Sequence, residues 1–208
     1  MKKVNRFAGI LIILLFIFQE ISAQESQTVS SINRVGTTAA QFLKIGAGAR
    51  PIAMGGAYAA LADDILSIYW NPAGLSRIGG KGEAVFNHAE WLAETDYDFA
   101  AFSINTGGLG ALGFFVISFS TPEEPVRTVE NPQGTGQVWN ANMISVGVTY
   151  ARNLTEDFSI GFTGKFIQEK IFSQTARGGA FDFGVLYNTP LRGLKYKNAI
   201  RWPRSVFQ

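Results

Sequence analysis

His88 is the only histidine, and the chain has no cysteine. A lone imidazole cannot build a His-rich metal site, and no HExxH or other paired-ligand spacing surrounds it. A general base needs a partner within hydrogen-bond reach, and no such pattern flanks His88, which reads as a loop or strand-end residue. Without cysteine there are no disulfides, no thiolate nucleophile and no Cys-ligated metal. The adjacent carboxylates Asp63/Asp64 and Glu123/Glu124 do not converge across a cleft as an acid/base pair must. Gly108–Gly113 (GLGALG) matches the GxGxxG spacing, but a strand-like FFVISFS follows where a dinucleotide site needs a helix N-terminus. It reads as a Gly-rich hairpin. The run GGKG at 79–82 lacks the phosphate-loop spacing, and Asn153-Leu154-Thr155 is a glycosylation sequon that matters only in a glycosylating compartment. The sequence therefore predicts no enzyme activity, no metal and no cofactor.

The most emphatic local pattern is structural. In DDILSIYWNPAGLS (Asp63–Ser76), Asp63 is placed to accept from the free N–H groups of a helix start, and Asp64 sits where the helix dipole favours an anion. Ile65, Leu66, Ile68 and Tyr69 supply one or two turns. Pro72 disfavours helical geometry at Asn71 and stops the helix. Asn71-Pro72-Ala73-Gly74 has β-turn residues at each position. Capping and turn chemistry account for every residue, so a binding site is not needed to explain the stretch. It belongs to a small-residue segment, 37–80, whose Gly46, Gly48, Gly55 and Gly56 argue against a continuous helix. Small residues permit close backbone approach, which suits a compact, irregular piece buried inside something else.

From Lys81 the pattern changes to period two. Strands are predicted at Gly82–Asn87, Tyr97–Asn105, Leu109–Ser120, Asn142–Arg152, Asp157–Lys170 and Gly178–Asn188. Phe158, Ile160, Phe162 and Phe166 share one face; Ser159, Gly161, Thr163 and Lys165 share the other. Phe181, Phe183, Val185 and Tyr187 alternate with Ala180, Asp182, Gly184 and Leu186. Only 16% of residues are charged, against 23 Gly and 13% aromatics, and no stretch beyond the N-terminus is apolar for the roughly 20 residues a spanning helix needs. A soluble sandwich would bury the aromatic face in a core. A transmembrane β-barrel turns it to lipid and leaves the small polar face for the lumen. The small residues opposite the aromatics favour the barrel, with Ser159, Thr163, Lys165 and Asp182 as lumen-facing residues. The connections RNLTED (152–157) and NTPLRG (188–193) are short. Thr121–Gln137 is a long Pro- and acid-rich external loop in which Glu123, Glu124 and Arg127 are candidate partner contacts. Trp91, Tyr97, Trp139, Tyr150 and Tyr187 fall near strand ends, where interfacial aromatics sit.

Residues 1–23 have a basic start (Lys2, Lys3, Arg6), an apolar run from Phe7 to Phe18 and small residues at a cleavage position, the pattern of a secretory signal peptide cut after Ala23. A polar leader, 24–36, follows. The formal charge of +2 resides in the signal segment. Without Lys2, Lys3, Arg6 and Glu20 the chain is neutral, and no nucleic-acid-binding face is implied.

Ala49–Ser76, ARPIAMGGAYAALADDILSIYWNPAGLS, resembles the N-terminal signature of FadL-like outer-membrane proteins, and looks closest to their PorV/PorQ-type branch. The likeness lies in Ala49-Arg50, Met54-Gly55-Gly56-Ala57, Ala62-Asp63-Asp64 and Tyr69-Trp70-Asn71-Pro72-Ala73-Gly74-Leu75. It implies an outer-membrane barrel of about fourteen strands whose N-terminal segment folds into the lumen as a hatch. It further implies a role in type IX secretion, with secretion components and secreted cargo proteins as partners and outer-membrane lipid as surroundings. The alternatives are FadL-like passage of a hydrophobic small molecule and a soluble exported β-sandwich that binds a ligand. Fewer strands are visible than the family implies, and KYKNAIRWPRSVFQ after Leu194 reads as losing its alternation. An incomplete barrel, from a truncated or longer gene product, is the expectation, because open edges are not tolerated in a bilayer. The sequence thus predicts an all-β antiparallel transmembrane barrel, incomplete in this chain, over 81–208, with a helical or irregular hatch over 37–80.

Overall fold

The computed structural model describes residues 39–191, 194–201 and 205–207. The expected signal peptide and leader lie outside the described residues. Two parts are joined in sequence: an irregular N-terminal segment, 39–81, and an antiparallel sheet.

The sheet strands are β1 (Gly82–Glu90), β2 (Asp96–Asn105), β3 (Ala111–Ser120), β6 (Ala141–Asn153), β7 (Phe158–Ile171), β8 (Gln174–Leu191), β9 (Leu194–Arg201) and β10 (Ser205–Phe207). The two-residue strands β4 (Glu124–Pro125) and β5 (Val138–Trp139) pair with each other in the β3–β6 connection. The order is β1-β2-β3-β6-β7-β8, with β9 and β10 successive on the far edge of β8. Every pairing is antiparallel, and the sheet does not close: among the described strands β1 pairs only with β2. Neighbouring strands follow one another because each is joined by a short connection, save the 20-residue span between β3 and β6.

The register sorts the two faces. On the outer face Leu112, Tyr150, Phe162 and Phe183 form one row across β3, β6, β7 and β8. Phe102, Phe114, Val148, Gly164 and Phe181 form the next. Phe86, Ala100, Val116, Val146 and Phe166 form a third. Two residues further along, the row becomes His88, Asp98, Ser118, Ile144, Gln168 and Arg177. An apolar belt bounded by a polar row is what a barrel wall presents to lipid. Phe86 and Phe181 are 70% and 67% exposed. Among the described residues no second sheet covers this face. None of the described helices is long and apolar enough to cross a membrane, which says nothing about crossing by strands.

The inner face is not uniformly small and polar. β6, β7 and β8 present Thr149, Ser159, Gly161, Thr163, Lys165 and Asp182, whereas β2 and β3 present Tyr97, Phe99, Phe115 and Ile117, all buried. Tyr97, expected at the interface, is therefore inside. It lies two residues before Phe99 in β2, and period two turns both inward. Trp91, Trp139, Tyr150 and Tyr187 are exposed.

Four further expectations are corrected. Leu194–Arg201 is a strand on the β8 edge; Leu194, Tyr196 and Ile200 do alternate with Lys195, Lys197 and Arg201, and basic residues obscured the pattern. β8 runs through Pro190 to Leu191, so NTPLRG is largely strand. β7 and β8 join at Phe172-Ser173, with Phe172 at φ +54°, so the hairpin is tighter than the predicted strand ends implied. The Thr121–Gln137 loop is partly ordered: β4–β5 pairing continues in Val126 N–H to Gln137 O at 2.8 Å and Thr135 N–H to Val126 O at 2.8 Å.

Phe102→Arg places a charge in the middle of the belt and is expected to cost about 2–4 kcal/mol, whereas Ser118→Arg in the bounding row costs about 0–1 kcal/mol. Folded protein recovered from the outer-membrane fraction measures both. Equal losses at the two positions would contradict a lipid-facing belt.

Candidate functional site

The N-terminal segment packs on the inner face. It contains short helical turns at Gln41–Lys44, Ala49–Ala53 and Ser67–Trp70 and a 3₁₀ helix at Pro72–Arg77. Asp63 does not cap the helix. Asp64 Oδ1 accepts from Leu66 N–H at 2.9 Å, and the neighbouring Ile65 N–H is taken by Glu83 Oε2 of β1, also at 2.9 Å. The helix starts at Ser67, later than the sequence suggests. Asp63 instead meets Arg50 at 3.0 Å, and Asp64 meets it at 3.2 Å. Arg50 also lies over the Tyr58 ring, 5.2 Å from its centroid. Tyr58 and the two aspartates raise the pKa of Arg50 above its ordinary value, and burial pushes the Tyr58 phenol up. These exposed ion pairs are screened by solvent and add little to stability.

Asn71-Pro72-Ala73-Gly74 closes with Gly74 N–H to Asn71 O at 3.0 Å, as a β-turn does, and then continues as a 3₁₀ helix to Arg77. Asn71 caps it: Oδ1 accepts from Ala73 N–H at 3.2 Å. Its Nδ2 donates to Ala59 O at 2.8 Å and to Val185 O of β8 at 3.2 Å. One amide thus ties the turn, the upstream segment and the wall together. Pro72, Ala73 and Leu75 are fully buried.

The wall under this turn is made of glycine. Gly161 of β7 and Gly184 of β8 are directly opposed cross-strand partners on the inner face. A methyl group on Gly161 would overlap the Pro72 carbonyl carbon and Ala73 nitrogen, and one on Gly184 would overlap Asn71 Oδ1. Gly74 is packed equally closely on the Ala62 carbonyl. Backbone lies on backbone at Gly161 and Gly74, the Asn71 amide and the Pro72 ring lie on Gly184, and only glycine leaves the room.

Around this seat the attachments are polar and specific. Ser76 Oγ donates to Asn153 Oδ1 at 2.6 Å, and Asn153 Nδ2 donates to Ser76 O at 3.1 Å. Arg77 Nε donates to Ser159 Oγ at 2.7 Å and its Nη2 to Asp157 O at 2.7 Å. Burial lowers the pKa of Arg77, and Asp157 opposes that. At the other end of the segment Ala40 N–H donates to Glu169 Oε1 at 2.9 Å. Trp70 Nε1 donates to Ala47 O at 2.8 Å and Tyr69 OH to Leu43 O at 2.6 Å. Tyr69 then packs edge-on to Phe99, 6.2 Å between centroids, and Phe99 meets Phe115 at 6.4 Å. The apolar half of the inner wall takes the aromatic side of the segment; the glycine half takes the turn.

Beyond the seat, Lys165 and Asp182 form an ion pair with side chains 3% exposed. Asp182 is the cross-strand partner of Thr163, whose hydroxyl is 2.7 Å from that of Thr149. All four side chains, and Ser159, lie buried on the inner face. Glu123, Glu124 and Arg127 are exposed at the far end of β3, away from the seat in sequence and register. His88 pairs with Asp98 at 2.8 Å on the outer face. Among the described residues no three His, Asp or Glu gather as a metal site.

The sequence reading singled out the turn and the inner polar residues but not their seat or anchors: Gly161 with Gly184, Ser76, Arg77, Glu83, Asn153 and Glu169. The opposed glycines sit among small residues in a period-two strand, which was the available signal. The anchors had none, since each is a commonplace polar residue whose partner is distant in sequence.

An apolar-belted antiparallel wall with an N-terminal segment seated on its inner face defines the class: an outer-membrane-type β-barrel protein with an internal hatch. The sequence model for "Type IX secretion system protein PorV" matches residues 28–186, and the chain belongs to that family. No curated protein and no solved structure gives a match.

Gly161→Ala and Gly184→Ala are expected to unseat the hatch, with overpacking costs of about 1–3 kcal/mol. Gly164→Ala, where the nearest atom is 3.6 Å away, is expected to be silent. Protease cleavage within 39–81 separates them; equal resistance in all three would remove the seat. Lys165→Met strands a buried carboxylate and is expected to cost about 3–5 kcal/mol, while Lys165→Met with Asp182→Leu recovers most of the loss. A double-mutant cycle on thermal stability reads the difference.

Proposed function

We propose that the protein works in the outer membrane as the type IX secretion component that receives secreted cargo proteins at the cell surface, with the Thr121–Gln137 hairpin as its contact surface, and that it does no covalent chemistry. Its delivery there is by export on a cleaved 1–23 signal peptide. The observation that carries the reading is the family match over most of the chain. The arrangement of the connections supports it. The β1–β2, β3–β6 and β7–β8 connections share one end of the sheet, and the long one between β3 and β6 carries exposed Glu123, Glu124, Arg127 and Glu130. The two-residue β7–β8 turn lies at the same end; a long loop such as the β3–β6 one is what such barrels place outside.

A second reading, passage of a hydrophobic small molecule between hatch and wall, is favoured by one cavity. It is lined by Ala39, Ala40, Ile167, Ala176 and Gly178 together with the charged Glu169 and Arg177, and has a volume of about 240 Å³. That is below the roughly 300–1,000 Å³ of ordinary ligand sites, so it ranks second.

Replacing Glu123, Glu124 and Arg127 together by Ala is expected to leave the protein in the membrane and to lower surface-attached cargo several-fold. Quantifying cargo on cells and in medium tests it. Normal cargo in the triple variant, with cargo lost on deleting the gene, removes the loop from the contact. Normal cargo on deletion removes the secretion role itself.

A further inference from the structure

The outer face of β7 and β8 carries two features that the hatch and its seat do not use. Along these strands the outward pairs run Phe162 with Phe183, Gly164 with Phe181, Phe166 with Gly179, Gln168 with Arg177 and Lys170 with Thr175. The first three pairs belong to the apolar belt, and Gly164 leaves a gap in it. A methyl group there would meet only the Phe181 ring, at 3.6 Å. Around the gap Val148, Phe162, Phe166 and Phe181 all stand exposed. Strands lie about 4.8 Å apart, so one side chain missing between exposed neighbours opens a furrow wide enough for a single hydrocarbon chain. Directly past the belt stand two cations. Lys170 and Arg177 are exposed diagonal neighbours, a separation that long side chains span. Among the described residues neither pairs with a carboxylate. Arg177 is oriented by Gln168: its Nε donates to Gln168 Oε1 at 3.1 Å, which leaves the Nη donors of the planar fork for an anion. The same end of β1 and β2 carries Glu90, Asp96 and Asp98 on that face, so cations are not a general property of this rim.

We propose that this face of β7 and β8 is a site for a phosphorylated glycolipid of the outer leaflet, with a phosphate on Lys170 and Arg177 and one acyl chain in the furrow at Gly164. Guanidinium and ammonium groups hold phosphate by charge-assisted hydrogen bonds, and basic groups at the edge of a membrane wall are where lipid headgroups bind. A soluble phosphorylated ligand has no use for the furrow. A lipid uses both parts in the order the strands present them, hydrocarbon first and headgroup beyond. The choice of leaflet rests on the reading above, in which the end carrying the β3–β6 connection faces out.

Titration of the purified full chain with diphosphoryl lipid A in detergent, read by native mass spectrometry, tests the site. The wild-type chain is expected to bind, and the variant carrying both Lys170→Gln and Arg177→Gln to bind at least several-fold more weakly. Gly164→Leu keeps both cations and fills the furrow, and is expected to weaken binding several-fold as well; either variant carries the test if the other fails to fold. Arg152→Gln removes an exposed cation from the outer face at the opposite end of the wall and is expected to change nothing. Lipid A stripped of its phosphates tests the wild-type chain without any substitution and is expected to bind several-fold more weakly than the intact lipid. No binding by the wild type, equal binding of the phosphate-free lipid, equal binding by the folded variants, or an equal loss in Arg152→Gln overturns the proposal. Displacement of lipid A by an equal amount of phosphatidylglycerol makes the site one for any anionic phospholipid and overturns the assignment to the outer leaflet. The orientation is read separately. Ser173→Cys, in the β7–β8 turn of this cysteine-free chain, is expected to take a membrane-impermeant maleimide on intact cells. Protection there, with labelling after lysis, removes the outward reading and the leaflet with it, whatever the lipid A result.

Discussion

Two glycines facing each other across β7 and β8 carry the constraint on which the rest depends. Gly161 and Gly184 leave a shallow bare patch of backbone on the inner face, and Asn71-Pro72-Ala73 occupies it. The same register sets the outside. One step along the strands Phe162 opposes Phe183, with ring centroids 4.9 Å apart, on the lipid side. A one-residue slip of either strand would exchange the faces. The turn would then meet aromatic rings, and the bilayer would meet Gly, Thr and Asp. Seating the hatch and making a greasy exterior are therefore one requirement, met by one alignment.

The inner face divides the hatch in turn. Along β2 and β3 it is aromatic and aliphatic, and there the hatch offers Tyr69 and Ile68. Along β6 to β8 it is small and polar, and there the hatch offers a turn whose backbone and amide groups need partners. The Lys165–Asp182 pair belongs to this second half. Two charges so deeply buried are costly unless paired, and as diagonal neighbours on β7 and β8 they pair with each other. Such a pair contributes to specifying the β7–β8 alignment, since a slip would separate the charges or turn them to lipid.

Much of this was legible in the sequence because period two is a strong signal. The faces of β6, β7 and β8 followed directly from Phe, Val and Tyr alternating with Gly, Ser and Thr. The turn at Asn71-Pro72 was legible from proline geometry alone. What failed did so for physical reasons. Asp63 and Asp64 are equivalent as letters, and both meet Arg50, while Asp64 also accepts from a backbone amide, that of Leu66. Tyr97 looks interfacial by type, but its place in the pleat is set by Phe99. β9 was missed because lysines are unexpected in a wall strand, yet alternation survives them. The anchors Glu83, Glu169 and Asn153 were invisible because their partners are backbone amides, carbonyls and hydroxyls that any sequence possesses.

The division between inside and outside also bears on what the molecule can do. The weak attachments of the hatch are the exposed ion pairs of Arg50, and they close the stretch from Ala49 to Ala62 upon itself; they do not bind it to the wall. The strong ones hold Ser67–Ile78 to four strands. Meanwhile the residues free to meet a partner, Glu123, Glu124, Arg127 and Val129, are carried on the ordered hairpin beyond β3, outside the apolar belt. A segment seated firmly on the inner face costs such a protein nothing if its task is to present a surface. It holds the strand ends, and so the loops between them, in fixed positions, which is what recognition by loops on a barrel requires.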